Sequence, residues 1–254
     1  MGEFDSDTSA LVERAALNAS RTDRDLESWI FGHLELTDGM RVADLGCGTG
    51  KQLFALAERV SPDAELIGID ISADAVAEVN ERARREGRSN VRALRASLDD
   101  CPAALPDGRF DLLLSTYAVY YARDLSGLLE RLRHVLSPNG SLFLSGPGAG
   151  TNREMITLVN AVDDAVGEPV PPVVDFLDGG QLEALGSRYR SVSLSRMENA
   201  VTFASPAEVM RWWRNHNMFR AAAEQSVMRE LEAIFAKSAG FRLTKHVLGV
   251  HARV

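Results

Sequence analysis

Cysteine is scarce in this chain, which has only Cys47 and Cys101 among 254 residues. Their spacing fits neither a disulfide framework nor a zinc site, so we expect no metal. No apolar run approaches the length of a membrane span. The first residues carry Glu3, Asp5 and Asp7 in place of an apolar signal sequence. These absences predict a cytoplasmic protein without a membrane partner.

Positive charge is also limited. The chain has 28 Lys and Arg against 36 Asp and Glu, which gives a formal net charge of −8. That charge repels nucleic acids and anionic lipid surfaces. The arginines near residue 85 are interleaved with Glu81 and Glu86, as on a solvated helix face. We therefore expect no nucleic-acid partner.

Short apolar segments alternate with longer amphipathic ones through the first half of the chain. The apolar segments predict strands at 41–45, 64–70, 91–96, 110–115 and 141–145. The amphipathic segments predict helices at 51–60, 73–86 and 125–136. This alternation predicts an α/β fold with a doubly wound, mostly parallel sheet and helices on both faces.

The pattern differs at the two ends of the chain. Helical spacing over residues 8–36 predicts two helices before the first strand. After a glycine-rich connection, the sequence predicts helices at 151–166, 179–186 and 206–238, and strands at 189–203 and 241–253. We expect one domain over 1–254, with N-terminal helices at 1–38, a core at 39–150, and a second half at 151–254 containing a helical cap at about 205–238.

The first strand leads into Asp44-Leu45-Gly46-Cys47-Gly48-Thr49-Gly50. Glycines are needed where a strand turns sharply into a helix and where a ligand lies against bare backbone. A dinucleotide loop would place its last glycine at position 51, which is Lys51, and a Walker loop would continue with Ser or Thr, where this chain has Gln52. What is left, Asp-x-Gly-x-Gly-x-Gly, resembles the first motif of class I S-adenosylmethionine-dependent methyltransferases.

Three later segments, all within residues 40–146, extend the resemblance. They are the second strand ending in Asp70, the turn and strand at 105–115, and the turn at 135–142. The resemblance implies a Rossmann-like methyltransferase fold with seven strands, the last two antiparallel at the sheet edge. It also implies S-adenosyl-L-methionine as the cofactor and a methyltransferase activity.

The resemblance further implies which residues contact the cofactor. The glycine loop would pack against its methionine and ribose parts, with Asp44 contributing indirectly to ammonium binding. Asp70 would accept both ribose hydroxyls, although it could instead cap the next helix, a task that suits Ser72 better. Where the family often has an Asp for the adenine amino group, either Ser97 or Asp99 would serve. The full predicted set is Asp44, Gly46, Cys47, Gly48, Gly50, Gln52, Asp70, Ile71, Ser97, Leu98, Ser115, Tyr117 and Tyr120.

Methyl transfer is an in-line displacement, so the protein mainly aligns the reactants and excludes water. A general base is needed only for a protonated nucleophile. Tyr117 and His216 are the candidate catalytic residues, and His216 could equally be a packing residue. Trp212 and Trp213 are adjacent, so we expect one to seal the core and the other to line a flat pocket.

The acceptor is predicted by elimination. The motif of amino-methylating nucleic-acid enzymes is missing, as are clustered carboxylates for metal-dependent methylation and the cysteines of arsenic methylation. The remaining acceptor class is a small organic metabolite, methylated on O, N or C. The aromatic residues of the cap favour an acceptor that carries a ring, from secondary metabolism. The alternative is a non-catalytic cofactor-binding subunit on the same fold. The sequence is compatible with both a monomer and a homodimer.

Overall fold

The computed structural model describes residues 25–162 and 169–254. The helix predicted closest to the N-terminus and the end of the helix predicted over 151–166 lie outside these residues. The first described helix, α1, is Leu26–Phe31. It is one of the two helices predicted before the first strand.

Seven strands form one sheet in the order β3-β2-β1-β4-β5-β7-β6. Their bounds are β1 Arg41–Leu45, β2 Glu65–Asp70, β3 Val91–Arg95, β4 Phe110–Thr116, β5 Leu136–Pro147, β6 Ser191–Phe203 and β7 Phe241–Arg253. The helices that follow α1 are α2 Lys51–Ala57, α3 Ala73–Arg85, α4 Cys101–Ala104, α5 Leu125–Val135, α6 Arg153–Val162, α7 Gly179–Arg188, α8 Pro206–Arg214 and α9 Glu224–Phe235.

Strands β1 to β5 are parallel to their neighbours. Strand β7 runs the other way, because Gly148 donates to the carbonyl of His246 while Val254 donates to that of Gly140. The predicted seven-stranded, mostly parallel sheet is therefore confirmed. Chain order reverses at β1, with β2 on one side and β4 on the other. In such sheets the crevice at the carboxyl ends of the strands beside the reversal is where ligands bind.

Two predicted elements differ in detail. Strand β5 begins at Leu136, earlier than predicted, because Phe110 pairs with Leu136 while Leu112 pairs with Ser141. The turn predicted before this strand is thus an irregularity within it. The helical segment predicted over 206–238 consists of α8 and α9 with an irregular connection between them. Helix α8 ends where the side chain of Asn215 donates to the carbonyl of Arg211.

The chain divides into two compact units, each with its own apolar core. Of the described residues, the large unit contains 27–146, 176–195 and 248–254, and the small unit contains 25–26, 147–162, 169–175 and 196–247. The core of the large unit joins the sheet interior to α5 and α7, with Leu45, Leu113 and Leu144 among its residues. The core of the small unit is built on Trp212 and Trp213. In the described residues, every helix is too short or too polar to cross a membrane.

Candidate functional site

The loop after β1 has its backbone in the left-handed region. Gly46 and Gly48 have φ of 76° and 51°, values that side-chain-bearing residues rarely adopt. A Cβ on Gly46 would lie 2.2 Å from the Cβ of Ala118, whereas a Cβ on Gly48 would meet nothing within 4 Å. Gly46 is therefore needed for packing against the segment after β4. Gly48 instead leaves bare backbone open to a ligand.

Cys47 and Gln52 lie on either side of the open glycine. Cys47 is buried against β2, where a Cβ on Gly68 would be 2.6 Å from its Sγ. Burial raises the pKa of the Cys47 thiol far above its ordinary value, so it stays protonated and unreactive. Gln52 is half-buried in the first turn of α2. Cys47 thus supports the loop from behind through its small side chain.

Asp70, the last residue of β2, connects that strand to the glycine loop. Its Oδ2 accepts from the backbone N–H of Gly48 at 2.8 Å, and its Oδ1 accepts from that of Ser72 at 2.9 Å. Helix α3 is capped by Ser72, whose hydroxyl accepts from the N–H of Ala75 at 3.3 Å, and not by Asp70. A carboxylate oxygen can accept more than one hydrogen bond, so Asp70 can still accept from two hydroxyls. Beside it, Ile71 is 48% exposed.

Asp44 is a fully buried carboxylate, and in the part of the chain that the structure describes neither of its oxygens has a hydrogen-bond partner. Burial first, and then the nearby charge of Asp70, raise its pKa to about 7. An unpaired buried charge is unfavourable, and a cationic ligand would relieve that cost. The methionine part of S-adenosylmethionine carries such a cation, an ammonium group. The residues present at the ends of β1 and β2 therefore fit this cofactor.

The segment after β3 contains the two candidates for reading the adenine. The Asp99 carboxylate accepts from the backbone N–H groups of Arg123 and Asp124, each at 3.1 Å. Both bonds lower the pKa of Asp99, and the bond from Asp124 contributes most. Asp99 is thus engaged with the start of α5. Ser97 instead donates to Asp100 at 2.6 Å and keeps an acceptor lone pair, and Leu98 beside it is half-buried.

The end of β4 brings two more predicted residues close to the loop. The buried Ser115 hydroxyl donates to the carbonyl of Leu45 at 2.8 Å and so ties β4 to β1. Tyr117 has a φ of 57°, and its N–H donates to the carbonyl of Ser145 at 2.7 Å. Its side chain as a whole is 37% exposed, but protein atoms crowd its hydroxyl and this desolvation raises the pKa of Tyr117. Its phenol is therefore protonated near neutral pH.

Tyr120 completes the predicted set in this segment. Its ring lies 5.9 Å from that of Phe176 and 4.7 Å from that of Tyr121. Phe176 was not predicted, because it comes from a distant part of the chain and no local pattern marks it.

His216, the other catalytic candidate, lies in the small unit. Its Nε2 is 3.3 Å from the amide nitrogen of Asn152, and its Nδ1 is 3.3 Å from the backbone nitrogen of Met218. Its ring packs on Trp212 at 4.9 Å. Asn152 also accepts from the Lys245 ammonium at 2.5 Å. Asn152 and Lys245 were missed, because neither belongs to a sequence motif.

The expectation that one of the two tryptophans lines an open pocket is wrong. Trp212 and Trp213 both have 0% exposure. Although adjacent, they are both buried because α8 is covered on two sides. Trp212 packs on Phe203 at 6.1 Å, while Trp213 packs on Phe219 at 4.9 Å.

Comparison with known proteins agrees with this geometry. Residues 36–174, more than half of the chain, match a family described as "Methyltransferase domain". The chain is 34% identical over 117 residues to a nocamycin O-methyltransferase from Saccharothrix syringae, a match covering 45% of this chain and 41% of that protein. It is 32% identical over 113 residues to the aklanonic acid methyltransferase DauC from Streptomyces sp. (strain C5), covering 44% and 50%. The matches thus span half or less of these relatives.

Among solved structures, the chain resembles a geranyl diphosphate C-methyltransferase from Streptomyces coelicolor A3(2), solved with Mg²⁺, geranyl diphosphate and S-adenosyl-L-homocysteine. The TM-score is 0.54 at 15% identity, covering 96% of this chain and 82% of that one, which shows a shared fold. From the family match, the sheet order and the glycine loop together, this chain belongs to the methyltransferase domain family, with S-adenosylmethionine as its cofactor.

Proposed function

We propose that this protein transfers the methyl group of S-adenosylmethionine to an O, N or C atom of a small organic metabolite. The observation that carries the proposal is the fully buried carboxylate of Asp44, which has no hydrogen-bond partner among the described residues and comes four residues before the open backbone of Gly48. When bound, the cofactor supplies an electrophilic methyl carbon on a positively charged sulfur. The protein's residues hold it, orient it and keep water away.

Each predicted cofactor residue has a role in this proposal. Asp44, whose carboxylate is closed off from solvent, favours the ammonium group indirectly through its negative charge, and Asp70 accepts from the ribose hydroxyls. Ile71, Leu98 and Ser97 surround the adenine. The methionine and ribose parts lie along the remaining predicted residues, which are Gly46, Cys47, Gly48, Gly50, Gln52, Ser115, Tyr117 and Tyr120. Within one methyltransferase domain, we assign residues 39–150 to the core that binds the cofactor, some of whose residues also reach the acceptor, and residues 151–254 to the substrate-side half.

The role of each catalytic residue depends on the chemistry of the nucleophile. Tyr117 is protonated near neutral pH, which suits it to donate a hydrogen bond to an acceptor oxygen and not to remove a proton. His216 serves as the base where the nucleophile arrives protonated. Because Nδ1 accepts from the backbone N–H of Met218, neutral His216 carries its proton on Nε2, so it acts as a base only when its Nδ1 exchanges the Met218 contact for the substrate.

The acceptor we propose is an aromatic compound of secondary metabolism. Two relatives carry the names nocamycin O-methyltransferase and aklanonic acid methyltransferase, and the sequence lacks the motif of nucleic-acid methylation. We further propose a cytoplasmic protein, monomeric or homodimeric, without nucleic-acid or membrane partners.

Calorimetry with S-adenosylhomocysteine and NAD, followed by a turnover assay that detects S-adenosylhomocysteine over a panel of phenols, amines and 1,3-dicarbonyl compounds, tests the proposal. We expect S-adenosylhomocysteine to bind and NAD not to bind. We also expect turnover with at least one acceptor class. Binding without any turnover would favour the non-catalytic subunit instead. Binding of NAD in its place would overturn the assignment.

A further inference from the structure

Three aromatic side chains form a continuous row in the large unit. The Tyr120 ring lies 4.7 Å from that of Tyr121 at an interplanar angle of 45°, and 5.9 Å from that of Phe176 at 60°. Tyr120 and Phe176 are half-buried, whereas Tyr121 is 67% exposed. We call these three residues the aromatic row. It presents ring surface to solvent.

The row lies over the carboxyl end of β5. A Cβ on Gly146 would be 2.7 Å from the Phe176 ring and 3.1 Å from Cε1 of Tyr120. Both rings are thus seated where β5 has no side chain. The row is fixed in place by contacts that belong to the fold.

The same short segment also contacts the glycine loop. Ala118, two residues before Tyr120, is the residue that a Cβ on Gly46 would strike. Asp70 approaches that loop from the β2 side, and the row approaches it from the β4 and β5 side. If the ribose is held at Asp70, the row lies on the opposite side of the loop. In-line displacement requires the acceptor to approach the methyl carbon along the S–CH3 bond, from the side away from the sulfur.

The exposed ring of Tyr121 is not needed to hold this segment in the fold. Val119, in the same 3-10 turn, is fully buried and anchors the segment in the core. Tyr121 therefore contributes an exposed ring in addition to that anchor. Aromatic faces and edges attract other flat rings beyond what buried area alone provides.

We propose that the aromatic row of Tyr120, Tyr121 and Phe176 is the acceptor subsite and selects planar, conjugated rings over saturated ones. This inference rests on the proposed function. It adds to that function the residues of this chain that select the acceptor and the ring contacts by which they do so. Ligand sites combine such aromatic walls with a few polar groups, a role that the hydroxyls of the row can fill.

The test uses two probes with the same carbon skeleton, flat 2-naphthol and saturated decahydro-2-naphthol. Both are titrated by calorimetry into the full chain saturated with S-adenosylhomocysteine. We expect 2-naphthol to bind more tightly by roughly two- to tenfold, the range of one or two ring contacts. Tyr121→Ala should remove most of that preference, and Tyr121→Phe should keep it because the ring remains.

Leu194→Ala is the matched control, because Leu194 is another exposed apolar residue of the large unit, 49% exposed on β6. It should leave the preference unchanged. S-adenosylhomocysteine affinity should be the same in all variants, which shows that the cofactor site is intact. Since Tyr121 is largely exposed, its replacement should also leave the melting temperature unchanged.

Three results would overturn the inference while leaving the proposed function in place, provided that S-adenosylhomocysteine still binds. One is equal affinity, or no measurable affinity, of the wild type for the two naphthols. Another is a preference that survives Tyr121→Ala. The third is a shift from dimer to monomer in Tyr121→Ala without a change in probe binding, which would make the row a contact between copies. Failure of S-adenosylhomocysteine to bind would instead refute the proposed function itself.

Discussion

Asp70 accepts a hydrogen bond from the backbone N–H of Gly48 at 2.8 Å, so the carboxylate that ends β2 holds the loop that follows β1. The contact joins two neighbouring parallel strands at their carboxyl ends. One side chain therefore both shapes the glycine loop and offers its remaining lone pairs to a ligand. Cofactor affinity and loop geometry are coupled through it.

Replacing Asp70 tests this coupling. Asp70→Asn should weaken S-adenosylhomocysteine binding by roughly ten- to a hundredfold, because hydrogen bonds to a charged group contribute about 1.5–3 kcal/mol. Asp74→Asn is the control, since Asp74 is an exposed acid in the first turn of α3. Calorimetry on both variants gives the comparison. Unchanged affinity in Asp70→Asn would refute its ribose role.

Asp44 should make stability depend on pH. Its pKa is about 7 in the folded protein against 3.8 for a solvated Asp, so the folded state holds a proton that the unfolded state releases. The contribution of Asp44 to folding stability should therefore be greatest below about pH 4 and fall as pH rises towards 7. Asp44→Asn removes this loss. Its free energy of unfolding relative to wild type should rise between pH 4 and pH 8 by an amount on the order of a few kcal/mol, which its melting temperature reports.

Cofactor binding should show the opposite trend with pH. The ammonium group prefers an ionised Asp44, so wild-type affinity for S-adenosylhomocysteine should increase as pH rises through 7. Asp44→Asn should bind more weakly at pH 8 and lose that dependence. A variant that matched wild-type affinity at pH 8 would exclude Asp44 from the site. Melting curves and calorimetry at pH 5 and pH 8 provide both measurements.

The two glycines of the loop should respond differently to the same substitution. Gly46→Ala places a methyl group against Ala118 in a left-handed backbone, and should cost roughly 2–4 kcal/mol of stability. Gly48→Ala meets only backbone strain of about 1–2 kcal/mol, but it fills the open backbone face and should weaken cofactor binding. Adding Ala118→Gly should restore part of the stability of Gly46→Ala, because it removes the clash and leaves the backbone strain. Equal melting temperatures for the two single variants would contradict this assignment.

The strands and the glycine loop could be predicted because their signals are local. Strands β1 and β7 have the predicted bounds, since each apolar segment ends at turn residues. The sharp turn of the loop requires glycine, and the spacing of the glycines in the sequence already indicates that turn. Partners from distant parts of the chain, such as Phe176 beside Tyr120, leave no such signal.

Burial on opposite sides of one helix also escaped prediction. Adjacent Trp212 and Trp213 would share no helix face, yet both are buried because the core of the small unit surrounds α8. Likewise, the sequence marked His216 but not the amide that orients it. Side-chain hydrogen bonds between Asn152, Lys245 and His216 depend on how distant segments pack.

Asn152 offers a test of that cluster. It is only 4% exposed, with a φ of 61°, and its amide contacts Lys245 and His216. Asn152→Gly removes both side-chain contacts but accepts the backbone conformation, whereas Asn152→Ala removes them and adds strain of about 1–2 kcal/mol. Both variants should unfold at lower urea concentration than wild type, with Asn152→Ala the less stable. Comparable stability of the two would show that backbone strain contributes little, and wild-type stability in both would show that the amide contacts do not stabilise the small unit.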